Sequence, residues 1–264
     1  MIGIFDSGLG GLTAYKELHA LLPAGDFVYF GDTGRVPYGS RSREILTRYA
    51  RQDIRFLLRQ GADVILAACG TVSSVVLDDI KSDFSIPLFG VVDASVNAAL
   101  AATKNEKIGV IGTGATISSG AFAKKIAAAN PHAAVTSIAC PLFVPLVENG
   151  YTSGQVARLI IEEYLTPIKE KGVDTLILGC TQYPLLREEI QRFMGSGVRL
   201  VNSGAEAAVE ARTQLEQKGL RSGGGRGCVR YYVSDTVDGF EKLGSVFLEQ
   251  PIDGTVQKIE IEKY

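Results

Sequence analysis

Gly61-Ala-Asp-Val-Ile-Leu-Ala-Ala-Cys69 and Gly172-Val-Asp-Thr-Leu-Ile-Leu-Gly-Cys180 carry one pattern: a glycine, an aspartate, an apolar run and a closing cysteine. A short unbroken apolar run of this kind reads as a strand buried on both faces, as in parallel sheets covered by helices. The echo does not stand alone. Met1-Ile-Gly-Ile-Phe-Asp-Ser-Gly8 matches Lys107-Ile-Gly-Val-Ile-Gly-Thr-Gly114, and Val91-Val-Asp-Ala-Ser-Val-Asn-Ala-Ala99 matches Leu200-Val-Asn-Ser-Gly-Ala-Glu-Ala-Ala208. The offsets are 106, 111 and 109 residues, in the same order along the chain. Three matches in register predict an α/β fold of two similar parallel-sheet halves related by a pseudo-twofold axis. Ligands of such sheets bind at the carboxyl ends of the strands, so the site is expected in the cleft between the halves.

The elements alternate. Strands are expected at 2–6, 27–31, 64–68 and 88–92, and helices at 12–22, 42–60 and near 72–81. The segment from about 209 lies outside the repeat. It reads as a helix, a flexible connection Gly219-Leu-Arg-Ser-Gly-Gly-Gly-Arg-Gly227, a strand 229–233 and a helix 237–248. It is too short to stand alone and is expected to return to the first half. The division is therefore 1–97 with 209–264 for one half and 98–208 for the other.

The chain has 264 residues, 46% hydrophobic and 21% charged, which suits one well-buried globular protein without staples. Lys+Arg is 27 against 29 Asp+Glu, a net charge of -2, which argues against a nucleic-acid partner. No apolar run approaches the ~20 residues of a membrane span, and Met1–Ser7 lacks a basic leader. Both point to a cytoplasmic location. The four cysteines, at 69, 140, 180 and 228, are far apart with no C-x-x-C pair, so no metal site is expected. The two histidines, His19 and His132, sit in a helix and a loop, away from strand ends. Acid–base chemistry here has to run without them.

Cys69 and Cys180 each fall at a strand end just before a helix, where the dipole and free backbone N–H groups favour an anion. That predicts thiol pKa values drawn toward neutrality. Inverting a carbon centre by proton transfer needs a base on one face and an acid on the other, with the roles exchanged in reverse. Two facing thiols fit this demand. Cys140 and Cys228 lack that setting and read as structural. The turn Asp6-Ser-Gly-Leu-Gly-Gly11 places a carboxylate and a hydroxyl at the end of strand one, with glycines that admit close backbone approach. It is not a dinucleotide fingerprint, and Gly112-Thr-Gly-Ala-Thr116 lacks the lysine of a phosphate loop. Both turns suit a small zwitterion. Arg35-Val-Pro-Tyr-Gly-Ser40 offers Tyr38 and Gly39 to the same cleft, or a surface turn with an aromatic lid.

The chain resembles the glutamate racemases of the aspartate/glutamate racemase superfamily. The resemblance rests on Ile4-Phe-Asp-Ser-Gly-Leu-Gly-Gly-Leu12, Arg35–Ser40, Ala68-Cys-Gly-Thr71, Ile111-Gly-Thr113 with Thr116-Ile117, Glu148-Asn-Gly150, Leu178-Gly-Cys-Thr181 with Tyr183-Pro184, and Ser203-Gly-Ala-Glu206. It extends over nearly the whole chain. It implies interconversion of L- and D-glutamate without cofactor, supplying D-glutamate for peptidoglycan, in a cytoplasmic homodimer. It also implies that Cys69 deprotonates the D-enantiomer and Cys180 the L-enantiomer, with Asp6 assisting catalysis. Asp6, Ser7, Tyr38, Gly39, Gly70, Thr71, Thr181 and Gln182 would hold the substrate. The chain departs from the pattern at Gly70, where an asparagine is usual, and at Gln182, where a histidine is usual. A third departure is Val92-Asp-Ala-Ser95 in place of a Pro-Gly turn. A glutamine amide carries no proton at neutral pH, so Cys69, with Asp6, is expected to be better supported than Cys180. Two other readings compete: a relative racemising another amino acid or small dicarboxylate, and a non-catalytic amino-acid sensor.

Overall fold

The computed structural model describes residues 1–217 and 227–264. The glycine-rich connection expected at 219–227 therefore lies, except for Gly227, outside the described residues. Among the described residues there are two sheets, and every strand pairing in both is parallel. The first contains β1 (Ile2–Asp6), β2 (Phe27–Gly31), β3 (Val64–Ala67), β4 (Leu88–Gly90), β9 (Val229–Val233) and β10 (Val256–Lys258), in the order β10-β9-β2-β1-β3-β4. The second contains β5 (Lys107–Gly112), β6 (Ala134–Ala139), β7 (Thr175–Leu178) and β8 (Arg199–Asn202), in the order β6-β5-β7-β8. The run β2-β1-β3-β4 and the run β6-β5-β7-β8 have one topology. The internal echoes are thus a structural repeat, with β1 answering β5 and β3 answering β7.

The buried strands explain the unbroken apolar runs. All residues of β1, β2, β3 and β7 are buried. On one face of the first sheet, the helix Arg43–Arg59 places Leu46, Ile54, Phe56 and Leu57 against Phe5, Phe30 and Ile65. On the other, Leu12–Leu21 packs Leu12, Tyr15 and Leu18 against Ile4, Phe27 and Tyr29. Each such large apolar side chain contributes about 1.5–3 kcal/mol by leaving water.

Three elements differ from expectation. The strand expected to run to Val92 stops at Gly90, and the helix Val92–Ala102 begins immediately. Val91 has already turned into the helical region, and Asp93 lies in the first turn, where a negative charge suits the helix dipole. The expected boundary at 97/98 falls inside this helix, whose Val92, Val96 and Ala99 pack with Ile108, Val110 and Ile177 of the second sheet. The helix expected near 72–81 starts at Gly70, directly after Cys69, and breaks at Val76 into a second short helix Leu77–Ile80. The edge strand β10 follows the helix Val237–Leu248 and was not expected. Only Val256 of its three residues is buried, so it leaves no apolar pattern to read.

Candidate active site

The ends of β1 and β3 meet the end of β7 at one place. Asp6 closes β1, and Ala68 beside it donates its N–H to the Phe5 carbonyl at 2.9 Å. Cys69 follows in extended conformation and caps the helix Gly70–Val75. Its carbonyl accepts from the Ser73 N–H at 2.9 Å. From the other half, Cys180 follows β7, and its carbonyl accepts from Tyr183 N–H at 3.1 Å. Both cysteines are buried, and both line a cavity of about 510 Å³. Ser7, Tyr38, Gly39, Gly70, Thr71, Thr181 and Gln182 line it too. The cleft therefore collects every residue singled out from sequence except Asp6. That carboxylate lies beneath the lining, 2% exposed.

Short side chains let the halves come this close. A Cβ on Gly10 would stand 2.2 Å from Thr181 Oγ1, and one on Gly70 2.2 Å from the Gly179 carbonyl oxygen. A Cβ on Gly39 would stand 2.7 Å from that of Thr113. Hydroxyls then stitch the seam. Thr71 Oγ1 is 2.9 Å from Thr113 Oγ1, Thr13 Oγ1 donates to the Thr181 carbonyl at 3.0 Å, and Thr181 Oγ1 donates to Asp6 Oδ1 at 3.3 Å.

Asp6 Oδ2 accepts from the Gly8 N–H at 2.9 Å, and Tyr29 donates to the Gly8 carbonyl at 2.9 Å, which holds the first turn. Burial nonetheless pushes the Asp6 carboxyl above its ordinary range. The thiols overturn the expectation of depressed pKa values. Burial, with Asp6 adding to it, pushes the Cys69 thiol up to about 11 and the Cys180 thiol well above its ordinary value. The backbone N–H groups of Val72 and Gln182 act in the expected direction on these thiols but lose to desolvation. A helix N-terminus alone is a fraction of a charge, while full burial of a thiolate removes its whole hydration shell.

Gln182 is 8% exposed, and its Nε2 donates to Glu148 Oε1 at 2.9 Å. Because a carboxylate only accepts, this contact sets the amide's orientation. It leaves the Gln182 Oε1 buried with no hydrogen-bond partner among the described residues. Glu148, from the helix Phe143–Glu148, also lines the cavity.

Two features escaped the sequence reading. Cys140, read as structural, also lines the cavity, at the turn after β6. Its place directly after a strand and before Pro141 is the signal that could have flagged it. Beneath the loop 35–40 lies a buried acid cluster. Arg35 bridges Asp32 and Asp53, the latter at 2.9 Å, and stacks on Tyr49 with 4.0 Å to the ring centre. Tyr38 donates to Asp32 and lies 3.1 Å from Asp53, while Ser234 donates to Asp32 at 2.7 Å. Tyr38 lines the cavity, and its hydroxyl is held by the cluster. Burial and the neighbouring Asp32 push Asp53 well up. Arg35→Ala is expected to cost about 3 kcal/mol, since it strands buried carboxyls without their cation. Its urea midpoint would show this, and an unchanged midpoint would mean the cluster relaxes freely.

His19 stacks on Tyr15, and His132 is exposed in its loop; neither lines the cavity. Cys228 is exposed.

Comparison with known proteins agrees over the whole chain. The model of the Asp/Glu/Hydantoin racemase family matches residues 17–211. The glutamate racemase of Geobacter metallireducens is 44% identical over 99% of this chain and 97% of its own. The crystal structure of glutamate racemase from Francisella tularensis in complex with D-glutamate superposes with a TM-score of 0.93 at 35% identity, covering 100% of this chain and 98% of that one. The Thermus thermophilus glutamate racemase structure, in complex with beta-chloro-D-alanine, gives 0.89 at 40% identity over 100% and 98%. On these grounds the chain belongs to the Asp/Glu/Hydantoin racemase family, among its glutamate racemases.

Proposed function

We propose that the protein interconverts L- and D-glutamate without a cofactor, using Cys69 and Cys180 as the two proton carriers. The observation that supports this best is the pair of thiols, one from each half, lining one cavity. In the L-to-D direction the Cys180 thiolate takes the α-proton on one face of the carbon. The electron pair delocalises into the substrate carboxylate. The Cys69 thiol then delivers its proton to the opposite face, leaving a Cys69 thiolate. The reverse reaction exchanges the roles. Hydroxyls and backbone N–H groups of Ser7, Thr71 and Thr181 are suited to hold the carboxylates, where fixed donors favour the charge that develops. The raised thiol pKa values fit a site that ionises only when occupied. The substrate ammonium brings a positive charge that offsets part of the burial penalty.

In this reading, the half built on the first sheet and the half built on the second hold the substrate between them. The product supplies peptidoglycan assembly in the cytoplasm, and the working unit is a homodimer. Among the described residues no helix is long and apolar enough to cross a membrane.

Gly70 and Gln182 also favour a second reading, racemisation of a different amino acid. A panel of amino acids followed by circular dichroism decides between them, and glutamate is expected to lose optical rotation fastest. Enzyme and sensor separate in heavy water, since an enzyme exchanges the Cα proton and a sensor leaves it. In this mechanism the substrate's own carboxylate takes up the electron pair, so a chelator or added pyridoxal phosphate is expected to leave the rate unchanged. Loss on chelation with recovery on adding a metal would contradict this.

A further inference from the structure

The usual histidine near the second cysteine is absent, and Gln182 cannot replace its proton chemistry. Its amide is tied to Glu148 and presents only a carbonyl elsewhere. Among the described residues, the buried carboxylate of the seam is Asp6, on the other side. Asp6 sits at the end of β1, the strand that pairs with β3 just ahead of Cys69. A Cβ on Gly11 would stand 2.6 Å from the Asp6 Cβ and 3.2 Å from that of Ala68, which fixes how tightly Asp6 and the Cys69 turn are packed. Across the seam, Asp6 Oδ1 takes the hydroxyl of Thr181, the residue after Cys180. Gly10 makes room for that approach.

We propose that Asp6 is the common carboxylate of both thiols, controlling the ionisation of Cys180 as well as Cys69, and that Gln182 is a proton-inert positioning residue. This rests on the two-thiol reading above and differs from the expectation that Cys69, with Asp6, is better supported than Cys180. Asp6 touches the residue after Cys180 and ends the strand beside that leading to Cys69, and after burial its charge adds to the rise of both thiols. The other titratable groups that bear on them are Cys69, Glu148 and Tyr183, on Cys180, and Tyr29, which faces Asp6 and Cys69.

Racemisation rates alone cannot test this. The equilibrium constant between enantiomers is one, so kcat/KM in the two directions must change together. Thiol ionisation can be read directly and without substrate. Alkylation by iodoacetamide, followed across pH and quantified separately for the Cys69 and Cys180 peptides, gives each thiol's profile in the full chain. Asp6→Asn removes the shared negative charge and is expected to move both profiles to lower pH. A shift of one unit corresponds to about a tenfold faster reaction of each thiol at fixed pH below its pKa. A shift at Cys69 alone, or at neither, overturns the proposal. Should Asp6→Asn fail to fold, Thr181→Val removes only the hydroxyl that links Asp6 to the Cys180 side. The common carboxylate then carries the change across the seam, so the Cys69 profile is expected to move as well. A Cys69 profile that stays fixed in a folded Thr181→Val protein overturns the proposal. Gln182→His is expected to add a new titration at Cys180 and none at Cys69. If instead it moves both thiols alike, position 182 belongs to the shared network and Asp6 is not its sole carrier. A protein that ignores glutamate while both profiles shift would refute the proposed function and leave this inference standing.

Discussion

Cys69→Ser and Cys180→Ser are each expected to abolish racemisation, with a loss of at least about 10³-fold. The α-proton leaves one face and a different proton arrives on the other, so each thiol is indispensable in both directions. A serine hydroxyl is too weak an acid to stand in as a thiolate, all the more in a site where burial already pushes the Cys69 thiol up to about 11. Circular dichroism at one wavelength measures the loss. The two variants are not equivalent, and heavy water separates them. Cys69→Ser keeps the base for the L-enantiomer and is expected to exchange the Cα proton of L-glutamate alone. Cys180→Ser is expected to exchange that of D-glutamate alone. Near-parental racemisation by either variant would remove the two-base assignment.

Gly70→Asn is expected to lower kcat/KM by about 10- to 100-fold, even though asparagine is the residue the family pattern usually has there. A Cβ at this position would stand 2.2 Å from the Gly179 carbonyl oxygen and 3.6 Å from the Cys180 Cα. The obstacle is backbone, so no rotamer change relieves it. Overpacking of a close contact costs about 1–3 kcal/mol, and here the cost falls on the approach of the two halves that brings the thiols to one cavity. Gly70→Ala, which adds one methyl group, is expected to act in the same direction. Steady-state kinetics with both enantiomers checks this. A Gly70→Asn enzyme as fast as its parent would mean that the halves do not meet at Gly179 during turnover. The usual asparagine is therefore not a simple restoration for this chain.

Much of the fold was legible because it is written twice. Buried parallel strands leave unbroken apolar runs, and the echoes at Ile2–Asp6 and Lys107–Gly112 located β1 and β5 directly. What failed was local. Val91-Val92 looks like strand, yet the backbone turns there, since the next residues fill a helix that covers the second sheet. Val256–Lys258 is an edge strand with one buried residue, below what a pattern can register. For the site, the thiols and Asp6 were readable because they fall at strand ends, which is a matter of chain order, while their neighbours Thr71 and Thr181 came from the resemblance to a family. Their ionisation was not. It depends on how completely water is excluded, which the chain decides only after both halves have met. The Arg35, Asp32, Asp53 and Tyr38 cluster was hidden for a related reason. Its members come from the end of β2, a loop and the middle of the helix Arg43–Arg59, and nothing local marks two buried aspartates as neighbours.

The strand order has a consequence for the chain as it is made on the ribosome. The strands of the second sheet all lie between Lys107 and Asn202, so that sheet can complete itself from one continuous stretch. The first sheet cannot. Its β2 waits for β9, which is synthesised only after the entire second sheet. Until then Phe27-Val-Tyr-Phe-Gly31 is an edge of unpaired N–H and C=O groups along an apolar strand, the kind of surface that seeks another chain to pair with. A nascent polypeptide halted before Val229 would carry a finished half and a sticky one. Newly made protein is accordingly most exposed to self-association and chaperone capture in its amino-terminal portion, late in elongation.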